Sequence, residues 1–156
     1  MNVLFVCLNN LCRSPIAEGI LRKMYLEQGI KGKVDSAGFE SFHINDAPDP
    51  CAIRITSKHG IDISQKKARL FRADDFDTFD HIFVMDIKNM QDVQEVARNE
   101  ADMKKVDFLY NCIYPGKNIS VPNPCSKDEK ILDEIFEKLK KSCEVIASKA
   151  LKINHN

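Results

Sequence analysis

The strongest constraint on this chain lies in its first eighteen residues. Val3-Leu4-Phe5-Val6 is an apolar run of β-branched and aromatic character, and Ser14-Pro15 with Glu18 opens a helical pattern. The residues between, from Cys7 to Ser14, read Cys-Leu-Asn-Asn-Leu-Cys-Arg-Ser and form a strand-to-helix loop. A strand that passes directly into a helix, and is followed by another strand, favours a right-handed parallel crossover. In open parallel sheets the binding site lies beyond the carboxyl ends of the strands, which is where Cys7 falls.

Such a loop can become an anion cradle. Successive backbone N–H groups can curl round one oxyanion while the following helix directs its positive end at the same point. Cys7 then lies at the floor, Leu8, Asn9, Asn10, Leu11 and Cys12 supply the wall, and Arg13 stands at the rim. A guanidinium is a planar fork of donors that matches phosphate oxygens two at a time. Positive surroundings favour thiolate over thiol, and the thiolate is the form that attacks phosphorus. Ser14 can donate its hydroxyl to that thiolate and also cap the helix. The plainer alternative makes Cys7 a buried end-of-strand cysteine, Arg13 a surface charge and Ser14 only an N-cap. The strand before the motif and the Ser-Pro helix start after it favour the cradle.

The rest of the chain extends the same architecture. Ile16, Ile20, Leu21 and Met24 share a helical face that Gly29 closes, and Lys33 to Ala37 form a second strand ended by Gly38. A loop to Pro50 precedes a helix from about Asp49 to His59, closed by Gly60. His81 to Met85 is a buried strand, followed by a helix from Lys88 to Arg98. Val106 to Leu109 is a fourth strand, and Asn111 to Pro124 a long loop returning over the strand ends. Ser126 and Glu129 make a capping box for a long amphipathic helix carrying Ile131, Ile135, Leu139, Ile146 and Ala150. The expected fold is α/β: a single three-layer domain over residues 1–156, with a four-stranded parallel sheet flanked by helices and a frayed tail at 154–156. Lys66, Lys67, Arg69 and Arg72 form a basic cluster read as a solvated face, with a secondary role in attracting acidic phosphopeptides also open.

Composition narrows the partners. Lys plus Arg number 23 and Asp plus Glu 23, so there is no electrostatic case for nucleic acid or an anionic membrane, and attraction for phosphate must be local. No apolar stretch is long enough to span a bilayer and no basic leader precedes the first strand, so a cytoplasmic monomer is expected. The six cysteines, at 7, 12, 51, 112, 125 and 143, show no Cys-x-x-Cys pair or zinc-like grouping with His. Reduced thiols with one reactive member are expected, with a reversible Cys7–Cys12 disulfide as an exception, since a wrapped loop brings the two close; Cys12 can equally be packing.

Strand, Cys-x5-Arg-Ser-Pro and helix at the N-terminus resemble the low-molecular-weight protein tyrosine phosphatases. The likeness continues through Asp35-Ser36-Ala37-Gly38, Pro48-Asp49-Pro50, Ala68-Arg69, Phe79-Asp80, Met85-Asp86 with Asn89, and Val121-Pro122-Asn123-Pro124. The resemblance implies a phosphotyrosine protein or small aryl phosphate as substrate and a phosphocysteine on Cys7, with no metal or cofactor. It gives Asp86 a supporting role, fixing Ser14 or the loop, whereas the residues alone make it a cap of the next helix. It places Leu8, Phe42, His43 and Cys125 around the substrate cleft, with Phe42 where relatives often carry a tryptophan, and it implies protective Cys7–Cys12 oxidation in some members.

Several departures stand against that pattern. Relatives carry an aspartic acid at the position of Asn123, and a carboxamide cannot serve as a general acid, so reduced activity is expected on poor leaving groups. Asn9 stands where relatives usually have glycine in a loop needing positive φ, Cys125 and Ser126 stand where they often have aromatics, and the histidine that many relatives have near Lys66, supporting the loop through an aspartate, is absent. Leu11 stands where phosphoarginine-directed relatives tend to have threonine, which favours a phosphotyrosine-type pocket. Asp128 and Asp86 are weaker candidates for a substitute acid. A catalytically weak phosphoprotein or oxyanion binding module is the alternative function. Thiol-linked arsenate reduction, needing Cys112 or Cys125 as resolving thiols, ranks last.

Overall fold

The computed structural model describes residues 1–154, the side chain of Asn154 excepted. Four parallel strands, β1 (Val3–Val6), β2 (Val34–Ala37), β3 (His81–Val84) and β4 (Val106–Phe108), form one sheet in the order β2-β1-β3-β4. Six helices surround it: α1 (Arg13–Gln28), α2 (Pro50–Lys58), α3 (Asp75–Thr78), α4 (Ile87–Val96), α5 (Glu100–Met103) and α6 (Glu129–Asn154). The expected α/β architecture with a four-stranded parallel sheet is the one observed. No described helix is long and apolar enough to cross a membrane.

Burial on both faces explains why β1 is apolar without alternation. Val3 and Phe5 pack into the cluster formed with α1, α2 and α6, while Leu4 and Val6 face the other way into Phe76, Phe79, Val84 and Val93. All four are fully buried, which at roughly 1.5–3 kcal/mol per side chain makes β1 the strand that fixes the sheet between its two helical layers. The strand order reverses at β1, so the loop after Val6 opens at the crevice between β2 and β3. α1 closes as expected at Gly29, whose φ of 65° is left-handed, and Ile30 N–H reaches back to the Tyr25 carbonyl at 2.8 Å.

Gly38, just after β2, is needed for space. A Cβ there would lie 2.9 Å from the backbone N of Asn10 and 2.9 Å from the Leu8 carbonyl oxygen, so this glycine lets β2 approach the Cys7 loop.

Four expectations need correcting. The long helix is not started by a Ser126–Glu129 box: Asp128 accepts from Ile131 N–H at 3.0 Å, Ser126 Oγ donates to the Asn123 carbonyl at 3.0 Å, and Glu129 pairs with Lys58 and Arg54 of α2. Asn154 belongs to α6 and not to a frayed end; the remainder of that expected tail, His155 and Asn156, lies outside the described residues. The basic cluster divides: Lys67 and Arg72 are exposed, whereas Lys66 and Arg69 turn inward because buried carboxylates wait for them. Lys66 Nζ reaches Asp35 at 2.7 Å and Glu18 at 3.2 Å, and Arg69 grips Asp75 through two nitrogens at 3.0 and 3.1 Å and Asp35 at 3.1 Å. Nor are all the cysteines reduced, because the N-terminus of α2 meets the late loop and joins Cys51 to Cys125 in a disulfide, with Cα atoms 5.6 Å apart.

Two outcomes follow from this packing. Gly38→Ala is expected to cost about 1–3 kcal/mol through backbone crowding, read as a lower midpoint in urea unfolding. Burial works to raise the Asp35 pKa, but the Lys66 hydrogen bond, the Lys66 charge and the Arg69 charge outweigh it and hold the carboxyl below its usual range. Its contribution is therefore present above the unfolded-state pKa of about 4 and is lost as pH falls through the lower native value. Asp35→Asn is expected to flatten that acid limb of the stability–pH curve, measured by urea unfolding at a series of pH values.

Candidate active site

The Cys7–Ser14 loop turns its carbonyls outward and ties them down. Leu8 O accepts from Phe39 N–H and Leu11 O from Asp49 N–H, both at 2.8 Å, and Cys12 O accepts the first helical bond from Ile16 N–H at 3.1 Å. Among the described residues the backbone N–H groups from Leu8 to Arg13 have no acceptor. The helix that follows is also uncapped. It begins at Arg13, the N-cap position is Cys12, and no side chain accepts from its first N–H groups, nor does an acidic residue occupy its first turn. Ser14, expected to double as the cap, lies inside the helix with its hydroxyl directed elsewhere. A buried helix start whose N–H groups have no protein partner is matched to an anion.

Asn10 holds the loop in shape. It is the loop residue with positive φ, 57°, where Asn9 was the expected one; asparagine tolerates this left-handed conformation, and three hydrogen-bond partners lock it there. Its Oδ1 accepts from Arg69 N–H at 3.1 Å, so its amide nitrogen faces the other way and donates to Ser14 Oγ and Ser36 Oγ, each at 2.9 Å. Ser36 Oγ in turn donates to Glu18 Oε1 at 2.6 Å. Because the Glu18 carboxylate only accepts and the Asn10 amide N only donates, the Ser14 proton is left for its remaining neighbour, Cys7 Sγ at 3.0 Å. The series from Glu18 to Cys7 thus aims a hydroxyl donor at the sulfur, as the sequence predicted for Ser14. Asn10 was expected only as a member of the loop wall and Lys66 only as marking an altered support; Ser36 and Glu18 were missed, since only their packing round one loop reveals them. Lys66 takes a place beside the loop by holding Glu18, Asp35 and the Ser36 carbonyl, the last at 2.9 Å.

Arg13 and Asp86 meet at the rim. Arg13 Nη1 donates to Asp86 Oδ2 at 2.9 Å and to the Val121 carbonyl at 3.0 Å, and Val121 N–H returns to the Met85 carbonyl at 2.7 Å. Asp86 Oδ1 also accepts from Asn89 N–H at 2.8 Å as the N-cap of α4. The capping role of Asp86 is observed; its other contact is with Arg13 and not with Ser14, which is held by Asn10. The same contacts pin the late loop two residues before Asn123. Asn123 is exposed and its Oδ1 accepts from Cys125 N–H at 3.1 Å, starting a short 3-10 turn over Pro124–Ser126. An aspartate could make the same turn, so the carboxamide is not required by the backbone.

The expected cleft residues stand on the loops around this floor. Leu8 is half-buried, Phe42 is 86% exposed and edges onto the His43 ring at 5.3 Å, and His43 Nδ1 lies 3.0 Å from Asp46 Oδ2. Such exposure excludes ordinary core packing for Phe42 and leaves an aromatic face free. Cys125 is half-buried and bonded to Cys51, not an open wall residue. The Cys7–Cys12 disulfide is not formed: both are free thiols, and Cys12 Sγ instead touches Cys125 Sγ at 2.9 Å. Burial pushes the Cys12 thiol up to about 12 and the Cys112 thiol up to about 11. With Cys125 engaged and Cys112 beside His81, Asp107 and Lys149 on another cavity, neither serves as a free resolving thiol. Cys12, Asp49 and Cys125 are the one group whose ligating atoms, within 4.8 Å of one another, have metal-like spacing among the described residues.

Comparison with known proteins agrees with this geometry. The family described as low molecular weight phosphotyrosine protein phosphatase matches residues 2–156. A chicken (Gallus gallus) protein of that name is 34% identical over 95% of this chain and 94% of its own length. Among solved structures, a protein tyrosine phosphatase from Entamoeba histolytica with Hepes in its active site superposes with a TM-score of 0.87 at 28% identity, covering 99% of each chain. A drosophila arginine phosphatase superposes at 0.85 with 27% identity, covering 96% of this chain and 97% of the other. An uncapped helix behind a Cys-x5-Arg-Ser loop, on a sheet of this order and with relatives matched end to end, places the chain in the low molecular weight phosphotyrosine protein phosphatase family of enzymes.

Proposed function

We propose that this phosphatase hydrolyses aryl phosphate monoesters, protein phosphotyrosine foremost, through a phosphocysteine on Cys7 and with weakened acid catalysis at Asn123. What carries the reading is the Ser14 hydroxyl aimed at Cys7 Sγ from 3.0 Å, inside a loop whose N–H groups have no protein acceptor. The Cys7 thiolate attacks phosphorus in line, a sulfur–phosphorus bond forms and the bond to the aryl oxygen breaks. Arg13 and the loop N–H groups take up charge on the three non-bridging oxygens. Water then cleaves the sulfur–phosphorus bond, returning the thiolate and releasing phosphate. Ser14 stabilises the thiolate before attack and again as it leaves.

The departing tyrosyl oxygen has a pKa of about 10 and gains from a proton delivered by a neighbouring acid. Asn123 can orient a water from its exposed amide but has no proton to transfer at neutral pH. Phe42 offers its free face to the phenyl ring. Leu11 is buried at 8% exposure and gives no side-chain hydroxyl to a guanidinium phosphate, which favours the aryl ester over the phosphoarginine substrate class. A second reading, capture of phosphoproteins with negligible turnover, draws on Asn123 alone.

Cys7→Ser is expected to abolish phosphate release from both an activated aryl phosphate and a phosphotyrosyl peptide. Asn123→Asp is expected to raise turnover of the peptide by about 10²–10⁴-fold and that of the activated ester far less. Both forms inactive with the peptide still bound would leave the binding reading standing. The native chain is expected to keep a flat basic limb in its rate–pH profile, whereas Asn123→Asp acquires a fall as its acid ionises; a falling limb in the native chain would mean that another acid, such as Asp128 or Asp86, operates.

A further inference from the structure

Three sulfur atoms meet beside the phosphate loop, and phosphate chemistry uses none of them. Cys51 and Cys125 are joined, and Cys12 Sγ lies 2.9 Å from Cys125 Sγ. Cys125 has no thiol proton, so any proton in that contact belongs to Cys12. The three residues come from separate parts of the chain: Cys12 from the end of the loop, Cys51 from the first turn of α2, and Cys125 from the turn after Asn123. Cys125 N–H is engaged by Asn123 Oδ1, so the contact between the late loop and Cys12 is sulfur to sulfur.

We propose that Cys12, Cys125 and Cys51 form a thiol–disulfide exchange site in which the late loop changes its covalent anchor between helix α2 and the phosphate loop. Cys12 loses its proton, its thiolate attacks Cys125 Sγ, a Cys12–Cys125 bond forms, and the Cys125–Cys51 bond breaks with Cys51 leaving as thiolate and taking up a proton. Nothing is oxidised or reduced overall, so no outside oxidant is needed. Two features favour exchange. Attacker and target are already in contact, so the step is unimolecular. Cys51, the second residue of α2 after Pro50, leaves at a helix N-terminus, where a thiolate is stabilised.

The consequence lies at the rim of the cradle. In the Cys51–Cys125 form the loop bearing Asn123 is tethered to α2; in the Cys12–Cys125 form it is tethered to Cys12, the N-cap position of α1 within the anion loop. The exchange itself does not depend on the phosphatase reading, although its effect on turnover does. Groups facing Cys12 are Cys7 and Arg13 from its own loop, Asp49 from the start of α2, and the Cys125 sulfur from the late loop. Burial dominates among them and holds the thiol protonated at neutral pH, so exchange quickens as pH rises.

The test is disulfide mapping of the full chain, purified without reductant, trapped in acid, alkylated and digested. Peptides linked Cys51–Cys125 and Cys12–Cys125 are both expected, and after a jump from about pH 7 to about pH 9 the approach to their final ratio is expected to quicken by about tenfold per unit. Cys51→Ser, treated with oxidised glutathione, is expected to form the Cys12–Cys125 bond and to change its rate of phosphate release reversibly with dithiothreitol. Cys51–Cys125 as the sole linkage at every pH, or a folded Cys51→Ser protein that never links Cys12 to Cys125, would overturn the proposal. So would one equivalent of zinc on the isolated protein with all three thiols released by chelation, because the cluster would then be a metal site. A change in linkage without any change in turnover would retain the exchange and remove its link to catalysis.

Discussion

Everything at the site depends on one asparagine held in a left-handed conformation. Asn10 turns the chain so that the loop carbonyls face outward, and its side chain is satisfied at three points, by Arg69 N–H, Ser14 Oγ and Ser36 Oγ. A buried amide is costly unless its hydrogen bonds are made, so this conformation persists only while β2, α1 and the Arg69 segment are all in place. The same bonds determine which way the Ser14 proton points. Backbone shape and sulfur chemistry are therefore consequences of one set of contacts.

A second layer of charge keeps those contacts together. Glu18 and Asp35 are drawn from α1 and β2, Lys66 and Arg69 from the segment after α2, and Asp75 from α3. Pairs this deep are worth little as isolated stabilising interactions, because desolvation offsets much of the attraction. Their value is geometric: each cation has two carboxylates to satisfy, which leaves the Arg69 segment one position against β2. Lys66 shows how much freedom that leaves in residue type, since an ammonium here ties down the same carboxylate and serine through which the loop is held.

At the rim the logic is looser. Arg13 reaches Asp86 and the Val121 carbonyl, so its guanidinium positions the loop carrying Asn123. Beyond Val121, Pro122 and Asn123 are exposed, and the remaining anchors are buried Pro124, a short turn and the Cys51–Cys125 bond. The Cys7–Ser14 loop is fixed by many cooperating contacts, while the loop carrying Asn123 rests on few.

Much of this was legible in the residues themselves. The apolar run of β1, the Cys-x5-Arg-Ser loop and the apolar face of α6 from Ile135 to Ala150 pointed to a parallel sheet with a strand-to-helix loop at its switch point, because periodicity and a strand-to-helix turn are local properties; Ile131, expected on that face, is exposed. Helix ends were read less well where two caps competed, as with Ser126 and Asp128, since a spacing rule cannot tell which side chain reaches the backbone. What only the tertiary structure decided was everything that joins distant segments: Asn10 in place of Asn9 as the left-handed residue, Lys66 and Arg69 turned inward from an apparently solvated cluster, Asp86 paired with Arg13, and Cys125 bonded to Cys51 with Cys12 in contact. Each of these is set by which groups meet after the chain has folded, and residues separated by dozens of positions carry no local sign of a partner.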